Sequence, residues 1–410
     1  MLAIIGASEK VVDEIMLDIP IKILEIALEI ITVYTAVLGI CFLIPRKPKP
    51  VVTPGTRFAV LLPARNEENV IFSVIDSLKR QDYPEDLYDI IVIPNNCTDD
   101  TEGAARRAGA KIMHCTTPVR TKGEVLHQIF AQLMGQYDAY CVFDADNVVD
   151  AAFLSRMHDA VAAGALVAKS RQCALNPYDN WVSGCYDLYF QNINLFHSRA
   201  RAAFSLSAKL IGTGFMVTDR LLQQMGGWQT YTLTEDIEFA AQCAERGVQV
   251  HYVPEALTYD EQPLSFRVSL RQRRRWSAGV QSVANRYIGR LLSRRPSWLR
   301  WDLAAHISMI YVQLLALVPV VYALLFMPLL SIVSTLLISL ASFWAGTTAM
   351  GLFLAVTAGR NPLKMWKAII MYPAYIISWY PLHIWALFAK PKDWKPIHHG
   401  TSKQRVKEHR

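Results

Sequence analysis

The chain has 410 residues, 52% of them hydrophobic, with a mean hydropathy of +0.19 and a formal net charge of +7. That is too long and too apolar for a small soluble module, and it fits one α/β domain joined to membrane elements. The basic excess gathers at Arg267, Arg271, Arg273, Arg274, Arg275, Arg286, Arg290, Arg294, Arg295 and Arg300, just before the apolar C-terminal third, so a juxtamembrane belt explains it and no nucleic-acid partner is needed.

Residues 1–50 do not read as a secretory signal peptide. From Ile19 to Ile44 the only charges are Lys22, Glu25 and Glu29, which continue a helical stripe begun by Glu14 and Asp18. A membrane span over Ile23 to Ile44 is expected, followed by the basic stop Pro45 to Pro50. The positive-inside rule then places the next domain in the cytoplasm of a multi-pass plasma-membrane protein.

Residues 51–262 read as an α/β nucleotide-binding domain. Phe58 to Leu62 is a buried strand, Val70 to Arg80 a helix and Ile90 to Pro94 a second strand, while Lys122-Gly123 opens another helix. Such alternation implies a parallel sheet with its ligand beyond the strand C-termini. The polar loops there are Pro63 to Glu68 and Asn95 to Thr101. Asp144-Ala145-Asp146 leaves the apolar strand Tyr140 to Phe143. Two carboxylates so spaced can meet Mg²⁺ or Mn²⁺ that also takes diphosphate oxygens, or they can be solvated acids capping a helix.

Asn176 to Phe204 carries Trp181, Tyr186, Tyr189, Phe190 and Phe196 among polar residues, and a membrane-surface helix is preferred over a core helix. Gly212, Thr213 and Gly214 offer a tight backbone beside a substrate, or only a turn. In Thr234-Glu235-Asp236 the threonine reads as a helix N-cap, and the helix start would fix Asp236 as a general base.

The amphipathic helix expected within residues 263–300 puts Gln272, Arg275 and Trp276 at i, i+3 and i+4. An amide, a guanidinium suited to diphosphate and an indole suited to a sugar face then meet. Trp276, Val280, Val283, Tyr287 and Leu291 form an apolar stripe, expected to lie against anionic headgroups. Within 301–390, Leu303–Phe326 and Leu329–Thr357 are expected spans. Trp366 to Ala389, broken by Pro373 and Pro381, is preferred as a third, with a re-entrant pair as the alternative. Residues 391–410 form a basic tail. The seven scattered cysteines, with no CxxC pair, read as reduced packing residues.

Taken in order, Pro63 to Glu67, Asn95 to Thr101, Lys122-Gly123, Asp144-Ala145-Asp146, Thr234-Glu235-Asp236 and Gln272 to Trp276 resemble the membrane-integrated inverting glycosyltransferases of family 2, the group of cellulose, hyaluronan and poly-N-acetylglucosamine synthases. The resemblance covers Phe58 to Gln281 and implies a Rossmann-like GT-A fold. It implies that Pro63, Ala64, Arg65, Glu67, Asn95 and Asp99 surround the nucleoside, and that Lys122, Asp144, Gln272 and Arg275 meet the donor diphosphate. It places the metal on Asp144 and Asp146, the base at Asp236 beside Glu235, and the acceptor at Trp276, where the tight backbone of Gly212, Thr213 and Gly214 is also expected to meet the substrate. Asn95 stands where the family usually has an aspartate that reads uracil; a UDP-sugar is still the expected donor.

The expected reaction is inverting transfer to a growing polysaccharide with coupled secretion. Single transfer to a lipid acceptor is the main alternative, and a non-catalytic membrane scaffold the other. With so few spans, a homo-oligomer or an accessory export protein is a possible partner.

Overall fold

The computed structural model describes residues 2–45, 52–293, 296–326 and 328–388, with backbone alone over 2–18. The linker 46–50, Arg294, Arg295 and the tail 391–410 lie outside the described residues. One eight-stranded sheet holds the domain: β1 (Phe58–Ala64), β2 (Tyr88–Pro94), β3 (Lys111–Ile112), β4 (Ala139–Val142), β5 (Asn147–Val149), β6 (Val167–Ala174), β7 (Phe215–Thr218) and β8 (Val250–Asp260), in the order β3-β2-β1-β4-β7-β6-β8-β5. The helices are α1 (Leu2–Ile40), α2 (Ile71–Leu78), α3 (Thr101–Arg107), α4 (Lys122–Leu133), α5 (Phe153–Ala162), α6 (Trp181–Asn192), α7 (Ala200–Ala202), α8 (Asp219–Met225), α9 (Glu235–Glu245), α10 (Phe266–Ser293), α11 (Trp298–Leu315), α12 (Val318–Phe326), α13 (Leu329–Thr357), α14 (Trp366–Ile377) and α15 (Trp379–Phe388).

The first four strands pair in parallel, as the alternation predicts, and so do β6 and β8. The sheet is nevertheless mixed, because β7 runs antiparallel to β4 and β6, and β5 runs antiparallel to β8. This reversal matters for the site. Val142, at the end of β4, faces Phe215, at the start of β7, so the Gly212–Gly214 turn arrives beside the Asp144 loop. Ala59, Leu61, Tyr140 and Val142 pack on one side of the sheet with Phe130, Trp228 and Phe239. Val60, Leu62 and Cys141 pack on the other with Val74 and Phe153, the period of two that a strand imposes.

Three sequence expectations are corrected here. Residues 176–204 do not form a surface helix. Asn180 and Ser183 close a capping box at the start of α6, whose Tyr186 and Leu188 are fully buried against Tyr372, Tyr375 and Leu354 of α13 and α14. The polar residues that suggested a surface have internal partners instead: buried Asp187 takes both arms of Arg360 at 2.9 Å.

Likewise, Val283, Tyr287 and Leu291 of α10 meet Ala241 and Ala244 of α9 and Leu303 and Ala304 of α11, so that stripe faces protein rather than headgroups. Arg267, Arg271, Arg274, Arg286 and Arg290 remain exposed, but Arg273 is completely buried.

Among the described residues three helical stretches are long and apolar enough to cross a membrane: Ile19–Leu43, Trp298–Phe326 and Leu329–Thr357. The third expected C-terminal span is not one of them. Its helices α14 and α15 part at Ser378, and the join is clamped from α10 by Arg273, which donates to Tyr375 O at 3.1 Å and to Ser378 Oγ at 2.8 Å.

Candidate active site

A cleft of about 190 Å³ opens at the C-terminal ends of β1, β2 and β4. It is lined by Pro63, Arg65, Glu67, Asn95, Lys122, Asp144, Asp146, Gly212, Thr213, Glu235, Asp236, Gln272, Arg275 and Trp276, residues the sequence singles out from seven separate stretches. Ala64, Asp99 and Gly214 do not line it. Ala64 O accepts from Asn95 N and Nδ2, and Asp99 accepts from Glu68 N and from the Thr101 hydroxyl and N–H; both brace the loops from behind. Gly214 has φ +61°, and a Cβ there would overlap Ser170 and Thr258. Its role is the turn itself.

The start of α9 projects Glu235 and Asp236 into the cleft. Thr234 occupies the cap position, but its hydroxyl makes no capping bond. Glu238 instead ties down the loop before the helix, its carboxylate accepting the N–H groups of Tyr231 and Thr232, each at 2.7 Å. Asp236 accepts from Ile237 N at 2.8 Å, and a Cβ on Gly212 would lie 3.7 Å from Asp236 and 3.9 Å from Asp144, so the glycine sits between the two acids.

Lys122 Nζ, at the start of α4, bonds Asp144 Oδ1 and Gly212 O at 2.5 Å and lies 3.9 Å from Glu235. Burial pulls its pKa down, but Asp144, Glu235 and Asp236 together hold it above the ordinary lysine value. Burial and the neighbouring Asp236 push Glu235 up to about 7, and burial also raises Asp236, against the opposing effect of its Ile237 bond and of Lys122.

Carboxylates crowd the donor end. Burial, Asp146 and Asp144 push Glu67 up to about 9. Among the described residues no group of three or more His, Cys, Asp and Glu side chains could hold a metal alone. Asp144 and Asp146 nonetheless supply hard oxygens in a cleft with excess negative charge, and they fit Mg²⁺ or Mn²⁺ if donor oxygens complete its shell.

Asn95 is already engaged, its Oδ1 accepting Arg65 Nε at 3.0 Å and Nη2 at 2.8 Å. Gln272 accepts the Tyr186 hydroxyl at 2.7 Å, which fixes its orientation on α10. Burial lowers the pKa of Arg275, which faces Glu235, Asp144 and Asp236.

Sequence reasoning missed the layer beneath. Lys169 in β6 is buried and donates to Thr213 O at 2.7 Å; burial brings it down to about 8 despite Asp260 and Asp236. Asn147 donates to buried Asp260 at 3.0 Å. A lysine inside the apolar run Val167-Ala168-Lys169 was the available signal.

A second cavity, of about 380 Å³, adjoins the first. Asp236, Thr234 and Trp276 line both, and Ile307, Met309, Ile310 and Gln313 of α11 and Phe343 of α13 extend the second toward the apolar helices.

A GT-A-like mixed sheet with this cleft is the framework of a nucleotide-sugar transferase. Residues 54–279 match the profile of glycosyltransferase like family 2, more than half of the chain, and the protein belongs to that family as a hexosyltransferase. The probable glycosyltransferase YdaM of Bacillus subtilis is 26% identical over 86% of this chain and 85% of its own length. The β-monoglucosyldiacylglycerol synthase of Nostoc sp. is 25% identical over 69% of this chain, and the match spans 62% of that enzyme. A mannosyltransferase of Pyrobaculum calidifontis, solved with GDP-Man and Mn²⁺, shares the fold at a TM-score of 0.57 and 18% identity, over 88% of this chain and 99% of that one.

Proposed function

We propose that the chain transfers one hexosyl group from a nucleotide-sugar to a hydroxyl of a membrane lipid, with inversion. The observation carrying this reading is the second cavity, which runs from Asp236 and Trp276 to walls built by two long apolar helices, α11 and α13. An acyl-bearing acceptor lodged there presents its hydroxyl at the carboxylate without leaving the bilayer. The relation to diacylglycerol glucosyl transfer enzymes supports the same reading.

In this mechanism the acceptor hydroxyl attacks the anomeric carbon from the face opposite the leaving group. Its proton passes to Asp236, the bond from that carbon to the diphosphate oxygen breaks, and the linkage formed has inverted configuration. Lys122 and Arg275 receive the negative charge that gathers on the departing nucleoside diphosphate. A divalent ion held by Asp144 and Asp146 would add Lewis-acid neutralisation of that charge when bound. Glu235 holds Lys122 in place.

The donor is read as a UDP-sugar. Arg65 and Asn95 form one unit at the base position, so the base must be read by that pair rather than by a free amide. Three spans, read with the positive-inside rule, favour a cytoplasmic catalytic domain.

Extension of a glycan with secretion is the second reading. Trp276 and Trp379 favour it, stacked at 6.4 Å and 20°, with Tyr189 stacked on Trp379 at 5.5 Å, a platform suited to sugar rings. Purified full-length protein with radiolabelled UDP-sugars separates the two: one organic-extractable product is expected, and a ladder of water-soluble products would overturn the lipid reading. Asp236→Asn should abolish either product.

A further inference from the structure

We infer that the second cavity takes an acceptor amphiphile whose polar end bears an anionic group, a phosphate or carboxylate, and that Lys209 is its ion-pair partner. The inference rests on the lipid-acceptor reading above and specifies the lipid's charge.

The argument begins with charge balance around the cavity. Lys209 lines it, half-buried, and among the described residues the lysine has no ion-pair partner. Its neighbour Arg201 is spoken for: buried Arg201 Nε meets Asp302 at 2.8 and 3.1 Å, and Asp302 also accepts the Tyr34 hydroxyl at 2.7 Å. The Arg201 charge is therefore matched, and the Lys209 charge is not. Among the described residues Asp236 is the only acidic side chain lining the cavity, and it is held by α9 at the catalytic end.

The imidazoles do not supply the missing negative charge, but they register the excess positive one. The π-helical turn Ile193–Arg199 sets His197 against His306, ring centroids 4.2 Å apart. Burial, His306, Arg201 and Lys209 hold His197 far below its ordinary range, and burial, Arg273 and Lys209 bring His383 down to about 4. Both rings stay neutral at neutral pH.

A cation in a pocket walled by Ile193, Ile310, Phe343 and Ile376 is poorly solvated, and a partner anion there gains more than it would in water. Polar groups are also waiting. His383 is 9% exposed and Thr234 5% exposed; both line the cavity, and neither His383 Nδ1 nor Thr234 Oγ has a hydrogen-bond partner. A headgroup combining hydroxyls with an anion satisfies all three. A neutral headgroup leaves Lys209 unpaired.

The test uses full-length protein carrying Asp236→Asn, which retains the cavity but does not turn over, in phosphatidylcholine nanodiscs. Native mass spectrometry compares phosphatidylglycerol with diacylglycerol of the same acyl chains, both at low mole fraction. Phosphatidylglycerol should be retained preferentially. Adding Lys209→Met should weaken it about tenfold, the scale of one ion pair worth 1.4 kcal/mol, and Lys209→Arg should restore it. In the active protein the same loss should appear as a higher KM for the anionic acceptor. Equal retention of the two lipids, or retention indifferent to Lys209→Met, overturns the inference while leaving the lipid reading standing. If neither lipid binds and the product is a polymer, both fall together.

Discussion

Gly279 of α10 lies directly against Thr234 at the start of α9: a Cβ on the glycine would overlap the threonine methyl and stand 2.8 Å from its hydroxyl. That crossing brings Trp276, one helical turn before Gly279, over the same cleft as Asp236, two residues after Thr234. Thr234 is short, β-branched and buried at the start of α9, so it cannot swing away. Gly279→Ala should therefore push α10 off the end of α9. A displacement near 1 Å at a reacting centre costs about 10²-fold, and kcat/KM should fall on that scale. An alanine variant with full activity would mean that the helices are free to part.

The pH profile should report the buried acid pair. Base catalysis needs ionised Asp236, and burial raises both Asp236 and Glu235, the latter to about 7, so activity should rise with pH along an acid limb. Lys122 opposes those shifts. Lys122→Met should slow turnover and also move the limb of kcat/KM to higher pH, because the carboxyls then lose the charge that favours their ionised forms. A slower variant with an unmoved limb would assign Lys122 to diphosphate binding alone.

The two C-terminal apolar spans and the positions of the cleft motifs were legible, because each depends on local pattern: a buried strand, then a polar loop. What could not be read was the cover over an apolar stripe. Periodicity shows that Val283, Tyr287 and Leu291 share a face, but α9 and α11 meet it rather than headgroups. The same holds for α6, whose Asp187 finds Arg360 173 residues away. Lys209, His306 and His383 form no pattern at all until α11 and α15 fold over the domain.

Metal dependence follows from the crowded carboxylates. Chelation by EDTA should abolish transfer, and Mn²⁺ or Mg²⁺ should restore it. Asp146→Ala should abolish turnover, and it should also remove the metal-dependent rise in Tm on adding nucleoside diphosphate. Binding is thereby read apart from chemistry. Full activity in Asp146→Ala would remove Asp146 from the metal assignment.

Stability of the interfacial layer should depend on the pair between Asp187 of α6 and Arg360, which follows α13. The carboxylate is 3% exposed, accepts two guanidinium bonds at 2.9 Å, and also takes the Ala174 N–H at 3.0 Å. Arg360→Met strands that charge, and the loss should be about 3–5 kcal/mol, because the cost lies in the unpaired ion rather than in the missing bonds. Thermal unfolding in detergent should drop by on the order of 10 °C. Asp187→Asn combined with Arg360→Met removes the charge while its oxygen still accepts from Ala174, so the double variant should recover more than half of the loss. A double variant no more stable than Arg360→Met alone would show that the guanidinium acts through packing between α6 and the end of α13, with the charge incidental.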